Sequence, residues 1–501
     1  GHERKNAILI SATPLNNSLD DLYNQLKLFQ TPTDNDIPGI ADLKIYFDEQ
    51  KKRKRDWLES EDKEKAQRKI KEIHHKIRDK VLRHVMIRRT KRDIEDNYEE
   101  MVGMFPNVQE PRKIKYSLSK EAEQLLEETL KILREDLVFA RYKPFNYLKK
   151  GIELNLPFSN VSGFMRSLFV KRLESSNQAF IYTIDRFIKA YEAYLKIYNE
   201  QGKVYTGIES SELYELWEQD EDKVIEAKSN TIVEVENFTE GFKEDLESDL
   251  KLFKYLKTKW SEIEDYKLKE LRKQLKNDKI LKNNKVIIFT ESMETGKYLY
   301  DQLLKNYGEE EVLFHSGSKC IYKNKEKKEK DIREIIRKDF DPTHNEPEDN
   351  IKILIATTVL SEGINLHRSN VIINYDLPWN PTRIIQRFGR IHRLGSEHES
   401  VYIYNFFPCE NSDEVLNIDK NIISKIQAFH ESLGSDAKYL SDQEESVSHK
   451  MYSEELYKQL NSIETIEQKT KEKDLTDSRG YSYFQEILEL KRSNESLYNQ
   501  S

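Results

Sequence analysis

Glycine is scarce in this chain, with 16 among 501 residues, well below the usual ~7%. So few glycines argue for a helix-rich architecture with few tight glycine turns. Cysteine is scarcer still: Cys320 and Cys409 stand far apart and form no metal-ligand spacing. A disulfide framework is excluded, and a reducing cytoplasm is the default compartment. No apolar run reaches the ~18 residues that a membrane span requires. No basic-then-apolar signal opens the chain either. What remains is a long, very polar chain, 34% charged and 37% hydrophobic, long enough for roughly three domains or lobes.

The net charge of −8 speaks against a nucleic-acid partner until its distribution is read. Residues 209–250 carry 15 Asp/Glu and 3 Lys, a local charge of −12, so the rest of the chain sums to +4. Residues 76–92, "KIRDKVLRHVMIRRTKR", hold eight Lys/Arg against one Asp. Such patches can meet phosphate whatever the total charge. The run "KKRKR" at 51–55 reads foremost as a solvated helix face.

Along the chain, "NAILIS" (6–11) reads as a short buried strand and "DLYNQLKLF" as a helix. "RKIKYSL" (112–118) alternates like a strand, and Ser119 can cap the helix that follows. From about 120 to 278 almost everything looks helical. At 285 the texture changes: "KVIIFT", "EVLFH", "IKILIAT", "NVIINYD" and "SVYIYNFF" read as strands, separated by helical stretches. Strands alternating with helices predict a parallel, helix-covered sheet. Such sheets bind ligands at the carboxyl ends of their strands. The tail from 410 returns to charged helix or disorder.

"DLPWNPTRIIQRFGRIHR" (376–393) offers Asn380 as N-cap and Pro381 at the first helical position, with a helix running to about 393. Gln386, Arg390 and Arg393 then share one face at i, i+4 and i+7. Ile384, Phe388 and Ile391 share another that suits packing on the sheet. Gly389 inside a helix costs about 1 kcal/mol relative to alanine, which suggests close approach by a neighbour. An amide with two guanidiniums can clamp a phosphoryl group through forked donors. The same residues also read as a solvated face, and the helix alone leaves both readings open. "FTES" (289–292), "FHSG" (314–317) and "ATTVLSEGINL" (356–366) each place polar residues just after a strand. In a parallel sheet these ends lie together, which favours the ligand reading.

Taken in order, these stretches resemble a known family. "SATPLNNSLDDLYNQL" (11–26) looks like motif III of superfamily II helicases in its Swi/Snf-type form. "RRTKRDI" (88–94) and "FPNVQEPRKIKYSLS" (105–119) are similar to the segment that follows it there. "ILIATTVLSEGINL", "VIINYDLPWNP" and "QRFGRIHRLGS" resemble motif V, the stretch after it, and motif VI. "SEGINL", "QRFGRIHR" and "VKRLESSNQAF" (170–180) are nearest to bacterial branches. The resemblance implies the C-terminal part of a motor with two RecA-like lobes and ATP between them, in the bacterial cytoplasm. The organisation it implies is an α/β RecA-like lobe at 279–410. A remnant of the first lobe stands at 1–35, a mostly helical inter-lobe region at 36–278, and a helical or partly disordered tail at 411–501.

It also implies roles. Arg390 and Arg393 match arginine fingers that stabilise charge on a transferring phosphoryl group, and Gln386 the polar residue of the same motif. Glu362, Gly363 and Asn365 match the motif that couples nucleotide to nucleic acid. Ser11, Thr13 and Pro14 match motif III. Thr290, His315, Ser316, Gly317 and Thr357 match positions that couple to, or run along, a nucleic-acid backbone. Contact there is to phosphates, sequence-independent and salt-sensitive. ATP and Mg2+ are expected in the complete two-lobe protein, with no tightly bound cofactor or metal in this chain.

A P-loop, G-x-x-x-x-G-K-[ST], is absent: "ETGKYL" has Gly296-Lys297 but Tyr298 where Ser or Thr is needed. The acidic box of the family is absent too. The expectation is a truncated piece that does not hydrolyse ATP alone. DNA is the expected partner, with a possible protein partner on the helical insert and no membrane. Two other readings stand: a non-catalytic binding module built on that insert, and an RNA helicase.

Overall fold

A computed structural model describes residues 19–35, 37–58, 62–85, 103–149, 161–206, 231–317, 319–357, 360, 364–378 and 381–407. The strand expected at 6–11, the "RRTK" segment, most of the acidic run (209–230) and the tail from 410 lie outside them. The chain divides after Ser117 and again after Asp265. One compact unit comprises the two flanking parts of the chain, and the other holds Leu118–Asp265.

The strands, in chain order, are β1 (Asn107–Val108), β2 (Arg112–Lys115), β3 (Lys203–Thr206), β4 (Thr231–Glu234), β5 (Val286–Phe289), β6 (Val312–His315), β7 (Cys320–Tyr322), β8 (Lys325–Glu326), β9 (Ile353–Ala356), β10 (Val371–Asn374) and β11 (Ser400–Phe407). The main sheet runs β1–β11–β10–β5–β9–β6–β7–β8, with β2 also pairing with β11. Pairing is parallel from β1 through β6 and antiparallel at β7 and β8. The helix-covered parallel sheet expected from the alternation is therefore present.

β5, β6, β9 and β10 are buried at every position. Burial on both faces is why they read as unbroken Val/Ile/Leu runs rather than alternating ones. The two faces nonetheless separate with period two. Ile287, Phe289, Leu313, Leu354 and Ile372 pack on one side; Val286, Ile288, Val312, Phe314, Ile353 and Ile355 pack on the other.

The sheet unit recruits more than the expected 279–410. Helix Tyr266–Asn277 supplies Leu268, Leu271 and Leu275 to one face of the sheet. β1 and β2 come from 107–115, in the stretch expected to be helical inter-lobe, and pair with β11 some 290 residues later. Residues 112–115 form a strand as expected, but in this sheet. Helices Leu19–Leu26, Leu43–Leu58 and Lys63–Ile77 build a satellite core around Leu22, Leu43, Phe47 and Ile77. Lys52, Arg53 and Arg55 of "KKRKR" are exposed on the second of these helices.

The second unit packs helices Val161–Ser175, Asn177–Gln201 and Gly241–Glu262 through an aromatic core. The Phe253 ring lies 5.4–5.6 Å from those of Phe169, Phe187 and Tyr191, and Phe169 lies 4.8 Å from Phe187, centroid to centroid. Ser119 caps helix Lys120–Lys131 as expected, accepting from the Ala122 amide at 3.2 Å. The antiparallel pair β3–β4 is the exception to the all-helical expectation.

Candidate nucleotide and nucleic-acid edge

Register decides which residues meet at the carboxyl edge. Phe289 pairs with Ala356 and Asn374, His315 with Ala356, and Asn374 with Asn405. The residues that follow, Thr290, Ser316, Thr357 and Tyr375, therefore lie along one edge, as the sequence predicted. Thr357 is largely buried, and its amide donates to the His315 carbonyl at 3.1 Å.

Thr290 and His315, expected along a nucleic-acid backbone, both have fully buried side chains. The Thr290 hydroxyl donates to the Asp376 carboxylate and accepts from the Ser292 amide at 3.2 Å. Asp376 also accepts from Lys267 Nζ at 2.9 Å and from the Glu291 amide at 3.0 Å. The Lys267 ammonium sits 4.4 Å from the Tyr375 ring centroid. Thr290 thus ties the end of β5 to the end of β10. His315 has no partner for either ring nitrogen, and burial pulls its pKa from 6.5 to about 4, with nearby Arg333 adding to the shift. It is held neutral. Ser316 closes a turn: its hydroxyl donates to the Lys319 carbonyl at 2.7 Å and accepts from the Lys319 amide at 2.9 Å. Gly317 is exposed.

The helix expected to run to about 393 spans Pro381–Phe388. The chain continues as turns, in which Arg390 N–H donates to Arg387 O at 3.1 Å and His392 N–H to Phe388 O at 3.0 Å. Gln386, Arg390 and Arg393 are all half-buried, but only Gln386 belongs to the helix, so one helix face does not hold the three. Gly389 follows the helix end. A Cβ there would meet only the Ile385 and Gln386 carbonyls, at 3.4 and 3.5 Å, so the close neighbour expected at this glycine is not found. Ile384, Phe388 and Ile391 pack on the sheet as predicted.

The arginine turn and the 364–367 loop are joined directly. The Arg390 carbonyl accepts from the Leu366 amide at 3.1 Å. Arg393 Nη1 donates to Asn365 Oδ1, and Arg393 Nε donates to the Gly389 carbonyl at 3.1 Å. Asn365 in turn donates to Asp341 at 3.1 Å. Two segments singled out separately in the sequence thus converge. Ser11, Thr13, Pro14, Glu362, Gly363 and the Asn380 cap lie outside the described residues.

Sequence reasoning missed Arg387, which is fully buried. It donates to Asn374 Oδ1 at 2.9 Å, pairs with Glu291, and lies 4.9 Å over the Phe289 ring. Asn374 continues to Asn405 at 2.8 Å. Burial lowers the Arg387 pKa, and Glu291 opposes that. Arg383 holds the other Glu291 oxygen at 2.6 Å. A signal was present: Arg387 stands three residues after Ile384, four before Ile391 and next to Phe388, inside the apolar stripe. A cation there needs a buried partner.

Among the described residues no group of three or more His, Cys, Asp or Glu could hold a metal ion, and no helix is long and apolar enough to cross a membrane.

Residues 266–395 match the family described as "Helicase conserved C-terminal domain". The chain is 40% identical over 152 residues to the Bacillus subtilis (strain 168) protein named "Uncharacterized ATP-dependent helicase YqhH", covering 30% of this chain and 24% of that one. It is 31% identical over 153 residues to "ATP-dependent RNA helicase sub2" of Aspergillus terreus (strain NIH 2624 / FGSC A1156), 30% of each. The chain thus spans about a quarter to a third of these relatives. Among solved structures, the C-terminal part of the Fun30 ATPase domain aligns at 19% identity with a TM-score of 0.33, over 71% of this chain and 99% of that one. The matched stretch begins at Tyr266, where the sheet unit resumes, and ends just past the arginine turn. Over residues 266–395, on a mostly parallel α/β sheet, this chain is similar to the conserved C-terminal domain of helicases.

Proposed function

We propose that the chain is the C-terminal part of an ATP-dependent DNA translocase of Swi/Snf type, presenting Arg390 and Arg393 to the phosphates of ATP and the carboxyl edge of its sheet to a nucleic-acid backbone. The observation that carries this is the junction between the arginine turn and the 364–367 loop, through Arg390 O to Leu366 N–H and Arg393 to Asn365. A loop touching nucleic acid and a turn touching phosphate, bonded to each other, move together.

The residues fit the phosphoryl end of ATP. A guanidinium remains cationic at neutral pH and matches a phosphate with two parallel donors. Arg390 and Arg393 are half-buried, so water screens them less than at an open surface. In the bound state they would neutralise charge developing on the γ-phosphoryl oxygens, with Gln386 as a further donor. The magnesium ion has no carboxylate cluster among the described residues. The 501 residues hold no P-loop motif, so the chain by itself binds nucleic acid without turning over ATP. Buried Thr290 and His315 support the edge from beneath, which leaves Gly317 and the loop backbone for the strand.

The test is competition between duplex DNA and RNA of matched sequence for the purified chain, with phosphate release followed in parallel. DNA is expected to win, affinity to fall steeply with salt, and no phosphate to be released with Mg2+, ATP and DNA. ATP turnover would sink the non-hydrolysing reading. Preference for RNA would favour the second reading, an RNA helicase, which draws on relatives carrying that name. Tight capture of a protein without nucleic-acid affinity would favour the binding module.

A further inference from the structure

Between β6 and helix Glu329–Phe340 the chain makes a two-strand excursion that the sequence reading passed over. β7 and β8 form a hairpin whose turn, Lys323–Asn324, has both residues in the left-handed region at φ 53 and 55. The hairpin is fastened. Cys320 and Tyr322 enter one core face and Ile321 the other. The Asn324 amide donates to Tyr300 Oη at 3.1 Å, and Asn324 Nδ2 to Glu309 at 2.5 Å.

Its charges are distributed unevenly. At the tip, Lys323 pairs with Glu310 at 2.6 Å. Lys319 lies 3.8 Å from Glu326, and Glu329 is taken by Arg333 at 2.8 Å. Both acidic residues between 319 and 330 therefore already face a cation. Lys325, Lys327, Lys328 and Lys330 make no ion pair among the described residues. Three are exposed and Lys327 is half-exposed. These lysines follow the antiparallel edge of the sheet back toward its carboxyl side. There Gly317, Cys320, Glu326, Lys327, Lys328 and Glu329 line an open hollow of about 350 Å³. Gly317 leaves one wall without a side chain.

We propose that this lysine-rimmed hairpin is a second nucleic-acid contact, which takes backbone phosphates of a strand lying past Gly317. The inference rests on the helicase reading above for the class of partner and adds residues to it. Four unpaired ammonium groups on a fastened scaffold repel one another, and a polyanion relieves that repulsion by releasing its own counterions. Lysine is suited to this as a point charge that carries no sequence information. Lysines on a sheet edge also discourage edge-to-edge aggregation. That role alone would leave nucleic-acid affinity untouched, so the two are separable.

The experiment compares the full chain, its K325Q/K327Q/K328Q/K330Q variant and a charge-matched K120Q/K131Q/K196Q/K251Q variant of exposed lysines in the other unit. Fluorescence anisotropy with labelled mixed-sequence duplex and single-stranded DNA is measured from about 50 to 300 mM salt, a range over which phosphate contacts weaken strongly. Circular dichroism and thermal melts establish that each variant is folded. The hairpin variant is expected to bind at least ~10-fold more weakly near 100 mM salt, with the slope of log K against log salt shallower by roughly 2 to 3. The charge-matched variant should keep the parent slope. A folded hairpin variant that binds with the parent slope and affinity overturns the inference and leaves the helicase reading standing. Equal weakening by the charge-matched variant overturns it too, since net charge then suffices. No nucleic-acid binding by the parent chain would overturn both.

Discussion

At His315, burial governs the titration of the side chain. A histidine just after a strand invites a surface role, yet its ring is fully buried and both nitrogens lack partners. Its folded pKa of about 4 lies below the ordinary 6.5. As pH falls through 6.5 the unfolded chain takes up a proton that the folded chain refuses, so stability is full above 6.5 and declines toward 4. The loss attributable to this residue approaches roughly 3 kcal/mol across that window. Denaturant midpoints at pH 7, 6 and 5 should fall progressively in the parent and less in His315→Leu. A variant with the parent pH slope would refute the assignment. Arg387 makes the complementary point. Helix phase marks it as buried, but only the fold supplies Glu291 and Asn374, 96 and 13 residues away, to satisfy it.

At the scale of the element, Gly296 belongs to packing rather than to a phosphate loop. A Cβ there would stand 2.4 Å from the Phe314 ring, so helix Met293–Leu303 lies directly on β6. Phe314 is itself fully buried, in an interior that is close-packed as a rule. Gly296→Ala gains about 1 kcal/mol in helix propensity and loses roughly 1–3 kcal/mol to overpacking. The expected net is a destabilisation of about 1 kcal/mol, read from chemical denaturation. On a Phe314→Leu background the same change should cost less or stabilise; an equal cost in both backgrounds would remove Phe314 as the cause. β5, β6, β9 and β10 were legible because strands buried on both faces leave unbroken apolar runs, and β11 because its apolar and aromatic residues dominate a mostly buried run. β7 and β8 were not, because a two- or three-residue strand beside six lysines between 319 and 330 reads as charged helix or loop. The early end of helix Pro381–Phe388 was also hidden, since "GRIHR" keeps the helical spacing of apolar residues after the helix bonds have given way to turns.

At the scale of the molecule, the division after Ser117 and Asp265 sets the described part of the helical unit, Leu118–Asp265, apart from the sheet unit as one stretch of chain. Its core is internal. Asp249 is fully buried and accepts from Val138 N–H at 2.9 Å, Ala140 N–H at 2.8 Å and Tyr191 Oη at 3.0 Å. Those bonds hold Phe139 in the left-handed region, φ 59, with its ring against Phe169 and Phe253. A fragment of residues 118–265 is therefore expected to fold alone, with a cooperative thermal transition and a near-ultraviolet signal from its packed aromatics. Asp249→Ala should lower that transition by several degrees, because the buried Ala140 amide and the half-buried Val138 amide lose their acceptor. A fragment without cooperative melting would show that the unit depends on the rest of the chain.

The sequence alone determined the parallel α/β lobe, its five central strands, the polar strand ends at one edge and the apolar face of the arginine-bearing helix. All of these follow from local periodicity, which a chain displays wherever both faces of a sheet or one stripe of a helix must leave water. Tertiary structure decided the rest. It brought residues 107–115 onto β11, turned Thr290 and His315 inward, buried Arg387 on Glu291, and joined Arg393 to Asn365. It also left four lysines, on the edge hairpin and the start of the helix that follows it, without a carboxylate partner. Each of these is a pairing across 28 to almost 300 residues, or the absence of one. Periodicity carries no information about which distant group will satisfy a buried charge, because that is set by the packing of elements and not by their formation.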